Sequence, residues 1–200
     1  MSPKFRTAAL GIATAAALAL PASAMADTSL LDSLHSPAKI DGHTYTAKQM
    51  KHRYAGQDLF FVLGSKEEGA GVVAAFHSKG AAKAYVAATG RTPKKGVARA
   101  AYNGYQTVFY QDAFLEGAAI AVNSNSGIGD LSTQCMNGWV FGCFTSWDNQ
   151  ISSAKTGYSG AYLYNRPWNV TSDGYVYIPG YDSVELWRYF NDLASSVWVP

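Results

Sequence analysis

Hydrophobic and polar positions change their spacing near residue 105, so the chain divides into two predicted regions. Between residues 27 and 90, apolar runs of strand length alternate with stretches of helical period. Thr46 and Ser78 are typical helix N-caps, and Gly90 is a typical helix end. We predict two strands and two helices there, over residues 58–64, 71–77, 45–56 and 78–90. They form a small basic α/β module at 27–90, and the Gly- and Pro-containing stretch at 91–105 is predicted to be a linker.

After residue 105 the apolar positions fall in short runs rich in aromatic and β-branched residues, separated by Gly, Asn, Asp or Ser. Runs at this spacing are typical of a sandwich or small barrel. One helical turn is predicted at 184–190. We predict strands over residues 106–114, 117–122, 138–144, 152–157, 160–166, 174–180 and 195–200.

The second region contains an internal repeat. Residues 107–122 align with residues 161–178, because each segment is an aromatic strand, a polar turn and a second strand. Each copy is followed by a polar turn, WDNQISS at 147–153 and FNDLASS at 190–196. The repeat predicts two similar halves with one such turn in each.

The first 26 residues have the pattern of a secretory signal peptide. A basic start with Lys4 and Arg6 precedes an Ala-rich apolar stretch and small residues at a cleavage position. A membrane anchor is the alternative, but the apolar stretch is short and no later stretch is long enough to span a bilayer. We therefore expect a secreted, extracellular protein.

Secretion also affects how the two cysteines are interpreted. Cys135 and Cys143 are the only cysteines in the chain, and in an oxidising compartment they predict a disulfide that closes a small loop. Metal-binding thiolates are the alternative, which is weaker because neither a further Cys nor a nearby His completes a site.

Charge is distributed unevenly along the chain. Residues 27–106 contain 11 Lys and Arg against 6 Asp and Glu, whereas residues 107–200 contain 3 against 8. This asymmetry suggests two modules with different surfaces, and the acidic one could attract cations. A solvated linker explains the basic stretch at 90–99 better than contact with a polyanion, so we expect no nucleic-acid partner.

The two polar turns are the strongest candidates for a binding site. Asn, Asp and Ser are ordinary turn formers, so a purely structural role is the alternative for each turn taken alone. Two copies at equivalent places, however, offer carboxylate, amide, hydroxyl and backbone oxygens, which are the ligands that calcium prefers. The absence of His and Cys from both turns disfavours zinc and copper.

The repeated pattern of two Asn/Asp residues, two variable residues and a Ser pair resembles the calcium signature of the microbial βγ-crystallins. The stretch VFYQDAFLEG also resembles the first hairpin of that family, with Gly117 in its turn. The resemblance covers residues 106–200 and implies an all-β double Greek-key sandwich that binds calcium without being an enzyme. The whole chain is then α+β, with the small α/β module in front.

The resemblance also implies the calcium ligands. The third turn position supplies a backbone carbonyl and the fifth a hydroxyl, and the hairpin of the opposite repeat completes each site. Arg166 and Pro167 make the second hairpin depart from the family pattern, so the turn that contains Ser195 is expected to be the better site. The implied ligands are Gln150 and Ser152 in one turn, Leu193 and Ser195 in the other, and Gln111, Asp112, Glu116 and Asn165 in the hairpins.

A second hypothesis is a secreted proteinase inhibitor or small toxin on the same fold. It rests on the loop between the two cysteines, which carries Trp139 and which a disulfide would preorganise for binding. The expected partners are therefore calcium ions and a secreted protein or cell-wall component. No motif for hydrolysis, phosphate binding or zinc ligation occurs in the chain.

Overall fold

A computed structural model describes most of the chain in full: residues 29–89, 106–136, 145–169, 174–190 and 193–200. The backbone is also described at 138–139 and 142–143. The predicted signal peptide and linker lie outside these residues. Within these ranges, no helix is both long enough and apolar enough to cross a membrane.

The described part of the N-terminal region, residues 29–89, contains four α-helices and four strands. Thr46 and Ser78 cap their helices through side-chain bonds to the backbone N–H groups of Gln49 and Ala81, as predicted. The helices are α1 (Leu30–Ser33), α2 (Ala47–Arg53), α3 (Ser65–Ala70) and α4 (Lys79–Ala88), and the strands are β1 (Ala38–Ile40), β2 (His43–Tyr45), β3 (Phe60–Val62) and β4 (Val73–Phe76).

The described part of the C-terminal region is built from strands joined by turns and short 3₁₀ helices. One of these, Leu186–Arg188, lies where a single helical turn was predicted. The strands are β5 (Gln106–Tyr110), β6 (Ala119–Asn123), β7 (Ser126–Ile128), β8 (Gly138–Trp139), β9 (Gly142–Cys143), β10 (Ser153–Lys155), β11 (Ala161–Tyr164), β12 (Tyr175–Ile178), β13 (Ser183–Val184) and β14 (Ser196–Val199). The expectation of an α+β chain that is mostly β-sheet is confirmed.

The two halves of the C-terminal region exchange one strand. The first half contributes β5, β6 and β10 to a four-stranded sheet, which is completed by β13 of the second half in the order β13-β10-β5-β6. The second half contributes β11, β12 and β14, which are joined by β7 of the first half in the order β12-β11-β14-β7. In these two sheets the strands β5, β6, β7 and β10 of the first half therefore correspond to β11, β12, β13 and β14 of the second.

The N-terminal strands extend the second of these sheets. β3 pairs in parallel with β12, with Phe60 opposite Tyr175 and Val62 opposite Tyr177, and the order continues β2-β1-β4-β3-β12. The N–H of His35 also donates to the carbonyl of Tyr189 at 3.0 Å. The two predicted regions thus share one eight-stranded sheet, and the position of the domain boundary stays a prediction.

The main core lies between the two sheets and includes residues from both regions. Phe61 is fully buried and its ring meets that of Phe190 at 5.5 Å in an edge-to-face contact. Phe109 and Leu163, from the first strand of each half, are also fully buried. Apolar burial across the whole contact favours a single cooperative structure.

A second apolar cluster lies on the other face of the eight-stranded sheet. It contains a ladder of four tyrosines and is covered by Ala82 and Val86 of α4. Burial raises the pKa of Tyr164 to about 12 and raises the pKa of the other three tyrosines as well. The tyrosines are Tyr162 and Tyr164 of β11 and Tyr175 and Tyr177 of β12.

Candidate functional site

The two polar turns lie side by side at the junction of the halves. The N–H of Asn149 donates to the carbonyl of Ala194 at 3.0 Å, which joins the turns directly. The aromatic residue that opens each turn, Trp147 or Phe190, is buried in the core. Core packing therefore fixes where each turn begins.

The first turn is fastened to the hairpin of its own half. The N–H of Ser152 donates to the carbonyl of Tyr110 at 2.9 Å. The hydroxyl of Ser153 donates to the carbonyl of Asp112 at 2.7 Å and accepts the N–H of Leu115 at 3.1 Å. Ser153 is fully buried, so these bonds are shielded from water.

The second turn repeats this arrangement contact for contact. The N–H of Ser195 donates to the carbonyl of Tyr164 at 2.8 Å. The hydroxyl of Ser196 donates to the carbonyl of Arg166 at 2.6 Å and accepts the N–H of Asn169 at 3.0 Å. The pattern is kept although the second hairpin contains Pro167 and is longer.

The tip of each hairpin has the same unusual backbone conformation. Phe114 and Leu115 have φ of 62° and 61°, and Trp168 and Asn169 have φ of 65° and 56°. Bulky side chains rarely adopt this left-handed region, which costs about 1–3 kcal/mol per residue. The surrounding contacts must therefore impose it, and both aromatic rings face solvent, Phe114 with 64% and Trp168 with 74% of its surface exposed.

Each hairpin tip is also held by the other half. The N–H of Phe114 donates to both carboxylate oxygens of Glu185 at 3.0 Å, and the N–H of Trp168 donates to the carbonyl of Gly129. Glu185 also accepts the indole N–H of Trp187 at 2.9 Å. Sequence reasoning missed Glu185, because nothing in its local pattern indicates a partner 71 positions away.

The implied ligands differ in accessibility. Gln150 and Ser152 of the first turn are half-buried, whereas Leu193 and Ser195 of the second turn are buried. Among the implied hairpin ligands, Gln111 and Asn165 are half-buried and Asp112 and Glu116 are exposed. Asn191 and Asp192, which follow Phe190 in the second turn, lie outside the described residues.

The described contacts connect each turn to the hairpin of its own half. The N–H of Ser195 bonds to Tyr164, the residue before Asn165, and the N–H of Ser152 bonds to Tyr110, the residue before Gln111. A contribution from the opposite hairpin to either turn, with Asp112 and Glu116 serving Ser195, stays a prediction.

Asp148 provides the clearest electrostatic feature of the turns. Its Oδ1 atom is buried and has no hydrogen-bond partner in the described structure, while Oδ2 accepts only the amide of Asn149 at 3.5 Å. Leaving a buried acceptor unpaired costs about 1–3 kcal/mol, and more when the group is charged. This oxygen is therefore available to a cation.

Carboxylates alone do not form a metal cage here. Within the described ranges, no group of three or more His, Cys, Asp or Glu side chains is arranged to hold a metal ion. A cation at the turns would depend on carbonyl and hydroxyl oxygens with Asp148 as the charged ligand. That donor set suits a hard cation and not zinc or copper.

The loop between the two cysteines is described only in part. Cys135 pairs with Ser146, and Gly138 pairs with Cys143, so the backbone forms a narrow antiparallel ladder. Cys135 is not a free thiol, but the side chain of Cys143 lies outside the described residues. The disulfide between them stays a prediction, as does any inhibitory role of Trp139, whose side chain is likewise not described.

Comparison with protein-family models, with curated proteins and with solved structures found no match to this chain.

Proposed function

We propose that residues 106–200 form a βγ-crystallin-like double Greek-key domain that binds calcium and has no catalytic activity. The exchange of β7 and β13 between two equivalent halves supports this fold. The identical fastening of both turns supports it further, because such turns are the calcium signature of the family. Secretion, inferred from residues 1–26, is part of the same proposal.

The observation that carries the calcium proposal is the unpaired Oδ1 atom of Asp148. A buried carboxylate oxygen without a donor is unfavourable unless a cation or water satisfies it. It lies within a turn whose neighbouring groups include the carbonyl of Gln150 and the hydroxyl of Ser152. Because calcium takes 6–8 oxygen ligands, water would complete the set.

Accessibility favours the first turn over the second. Gln150 and Ser152 are half-buried, whereas Leu193 and Ser195 are buried and would have to rearrange to admit an ion. This contrasts with the expectation drawn from the hairpins, in which the turn with Ser195 was the better one. The turn with Ser152 is therefore proposed as the stronger site.

Isothermal titration calorimetry and thermal unfolding, each in calcium and in chelator, test the proposal. We expect binding that stabilises the fold by RT ln(1 + [L]/Kd), about 2.7 kcal/mol at a calcium concentration 100 times Kd. Ser152→Ala and Asp148→Asn should weaken binding more than Ser195→Ala does. The exposed β7 residue provides a matched control, Ser126→Ala, which should bind as the wild type does.

Magnesium should not reproduce the effect, because it requires a stricter octahedral geometry. A flat calcium titration together with equal melting temperatures in calcium and chelator would refute the proposal. Equal loss in all three turn variants would instead refute the preference for the first turn.

A further inference from the structure

Among the described residues, strand β6 is a sheet edge without the usual protection. In the described structure, the two large sheets end at β2, β7, β13 and β6, and the first three are only three, three and two residues long. β6 has five residues, Ala119–Asn123, and none is charged. Proteins usually protect an edge with short strands, charges, prolines or bulges, and β6 has none of the first three.

The internal repeat shows what such an edge can accommodate. β12 is the equivalent of β6, and its outer edge is paired with β3 of the N-terminal region. Among the described strands, only β5 pairs with β6. Within the part of the chain that the structure describes, the same edge is therefore paired in one half and unpaired in the other.

The side chains of β6 suit pairing with another strand. Ile120 and Val122 face the core, while Ala119, Ala121 and Asn123 are exposed. At the positions equivalent to Ala119 and Ala121, β12 carries Tyr175 and Tyr177, which lie in the cluster that α4 covers. The small residues of β6 provide no such aromatic surface for a helix, but they leave the backbone edge open.

We propose that β6 is a self-association surface, on which a second copy of this chain pairs its own β6 antiparallel about a two-fold axis at Ala121. In this register Ala119 lies opposite Asn123 of the second copy, and Ala121 lies opposite its own equivalent. Because β6 has no charged residue, two copies of it can pair without repulsion between like charges, and the strand is compatible with itself in this register. Two four-stranded sheets become one of eight strands, and the contact does not depend on calcium.

Sedimentation velocity of the mature protein over a concentration series tests this proposal. The wild type should show a dimer whose fraction rises with concentration, equally in calcium and in chelator. Ala121→Lys should raise the dissociation constant at least tenfold, because two like charges would face each other across the axis. Ser183→Lys, at the opposite edge of the same sheet, should dimerise as the wild type does.

Charge reversal separates a specific contact from a folding defect. Ala121→Glu should also be monomeric, and an equimolar mixture of the Lys and Glu variants should recover a heterodimer. Hydrogen exchange should show new protection of the amides of Ala119, Ala121 and Asn123, which face the free edge, in the dimer. A wild type that stays monomeric at its highest soluble concentration, or an Ala121→Lys dimer as stable as the wild type, would overturn the proposal.

Discussion

Ser153 and Ser196 carry out the same task in the two halves. Each hydroxyl fastens a turn to a hairpin by donating one hydrogen bond and accepting another, and both residues are fully buried. Replacing either with Ala leaves a carbonyl and an N–H without a partner. The two hydroxyls therefore hold the strained hairpin tips in place.

We expect Ser153→Ala and Ser196→Ala each to lower the free energy of unfolding by about 2 kcal/mol, because each leaves buried groups unsatisfied. Urea unfolding monitored by circular dichroism measures the loss. Ser183→Ala, at an exposed position, is the control. A loss within about 0.5 kcal/mol, the usual range for surface changes, would show that the hydroxyls are not needed.

Glu185 should couple the second half to the first hairpin. Glu185→Ala removes the acceptor of the Phe114 N–H and of the Trp187 indole. We expect faster hydrogen exchange at the Phe114 amide and a loss of about 1 kcal/mol in stability. Glu185→Gln keeps an acceptor oxygen and should recover part of the protection, whereas unchanged exchange in Glu185→Ala would contradict this role.

The sequence located the turns but not all of their partners. Ser152, Ser153, Ser195 and Ser196 could be found because the motif repeats along the chain. Glu185 could not, because its contact depends on how the halves fold over each other. The burial of Ser195 was also unpredictable, since the surroundings of a turn are set by distant segments.

At the scale of elements, the tyrosine ladder between α4 and the sheet should respond to alkali. The fold raises the pKa of Tyr164 to about 12 by burial, from an ordinary value of 10.0. A raised folded-state pKa means that the folded protein favours the neutral phenol. The ladder's contribution is therefore complete below pH 10 and is lost as the pH rises towards 12.

Spectrophotometric titration of phenolate absorbance, combined with urea unfolding at each pH, measures this effect. We expect the free energy of unfolding to fall above pH 10 and the ladder to ionise together with unfolding. The free energy of unfolding of Tyr164→Phe should fall less steeply with pH than that of the wild type over the same range. Equal slopes in the two proteins would show that Tyr164 is not buried in solution.

Elements with strong local signals were predicted correctly, and weaker ones were missed. The capped helices α2 and α4 and the apolar strands β3 and β4 lie where the pattern placed them. The hairpin of β1 and β2 was missed, although Asp41-Gly42 at its turn is a typical hairpin signal. Its strands are three residues long, which is too short for a period of two to be evident.

For the molecule as a whole, the shared sheet predicts a single unfolding transition. Phe61 of the N-terminal region is fully buried against Phe190 of the C-terminal region. We expect Phe61→Ala to cost about 3–5 kcal/mol and to lower the melting temperature of both regions together. Calorimetry checks this, because separate transitions in the wild type would show that the regions fold independently.

The pairing of β3 with β12 could not be foreseen from the sequence. Both segments are apolar runs in the sequence. This pattern predicts that each is a buried strand, but it does not predict which strands lie next to it. The composition shift near residue 105 suggested two separate modules. Strand pairing across that shift depends on side-chain fit between distant segments, for which a single sequence contains no signal.

That pairing also sets an order of events during synthesis. Phe60 and Tyr175 are neighbours in the sheet but are 115 positions apart in the chain. The edge of β3 that faces β12 therefore has no partner from that strand until residues 175–178 have been made. Long-range pairing of this kind slows folding and leaves an unpaired strand edge open to aggregation, so the N-terminal region needs protection until β12 emerges.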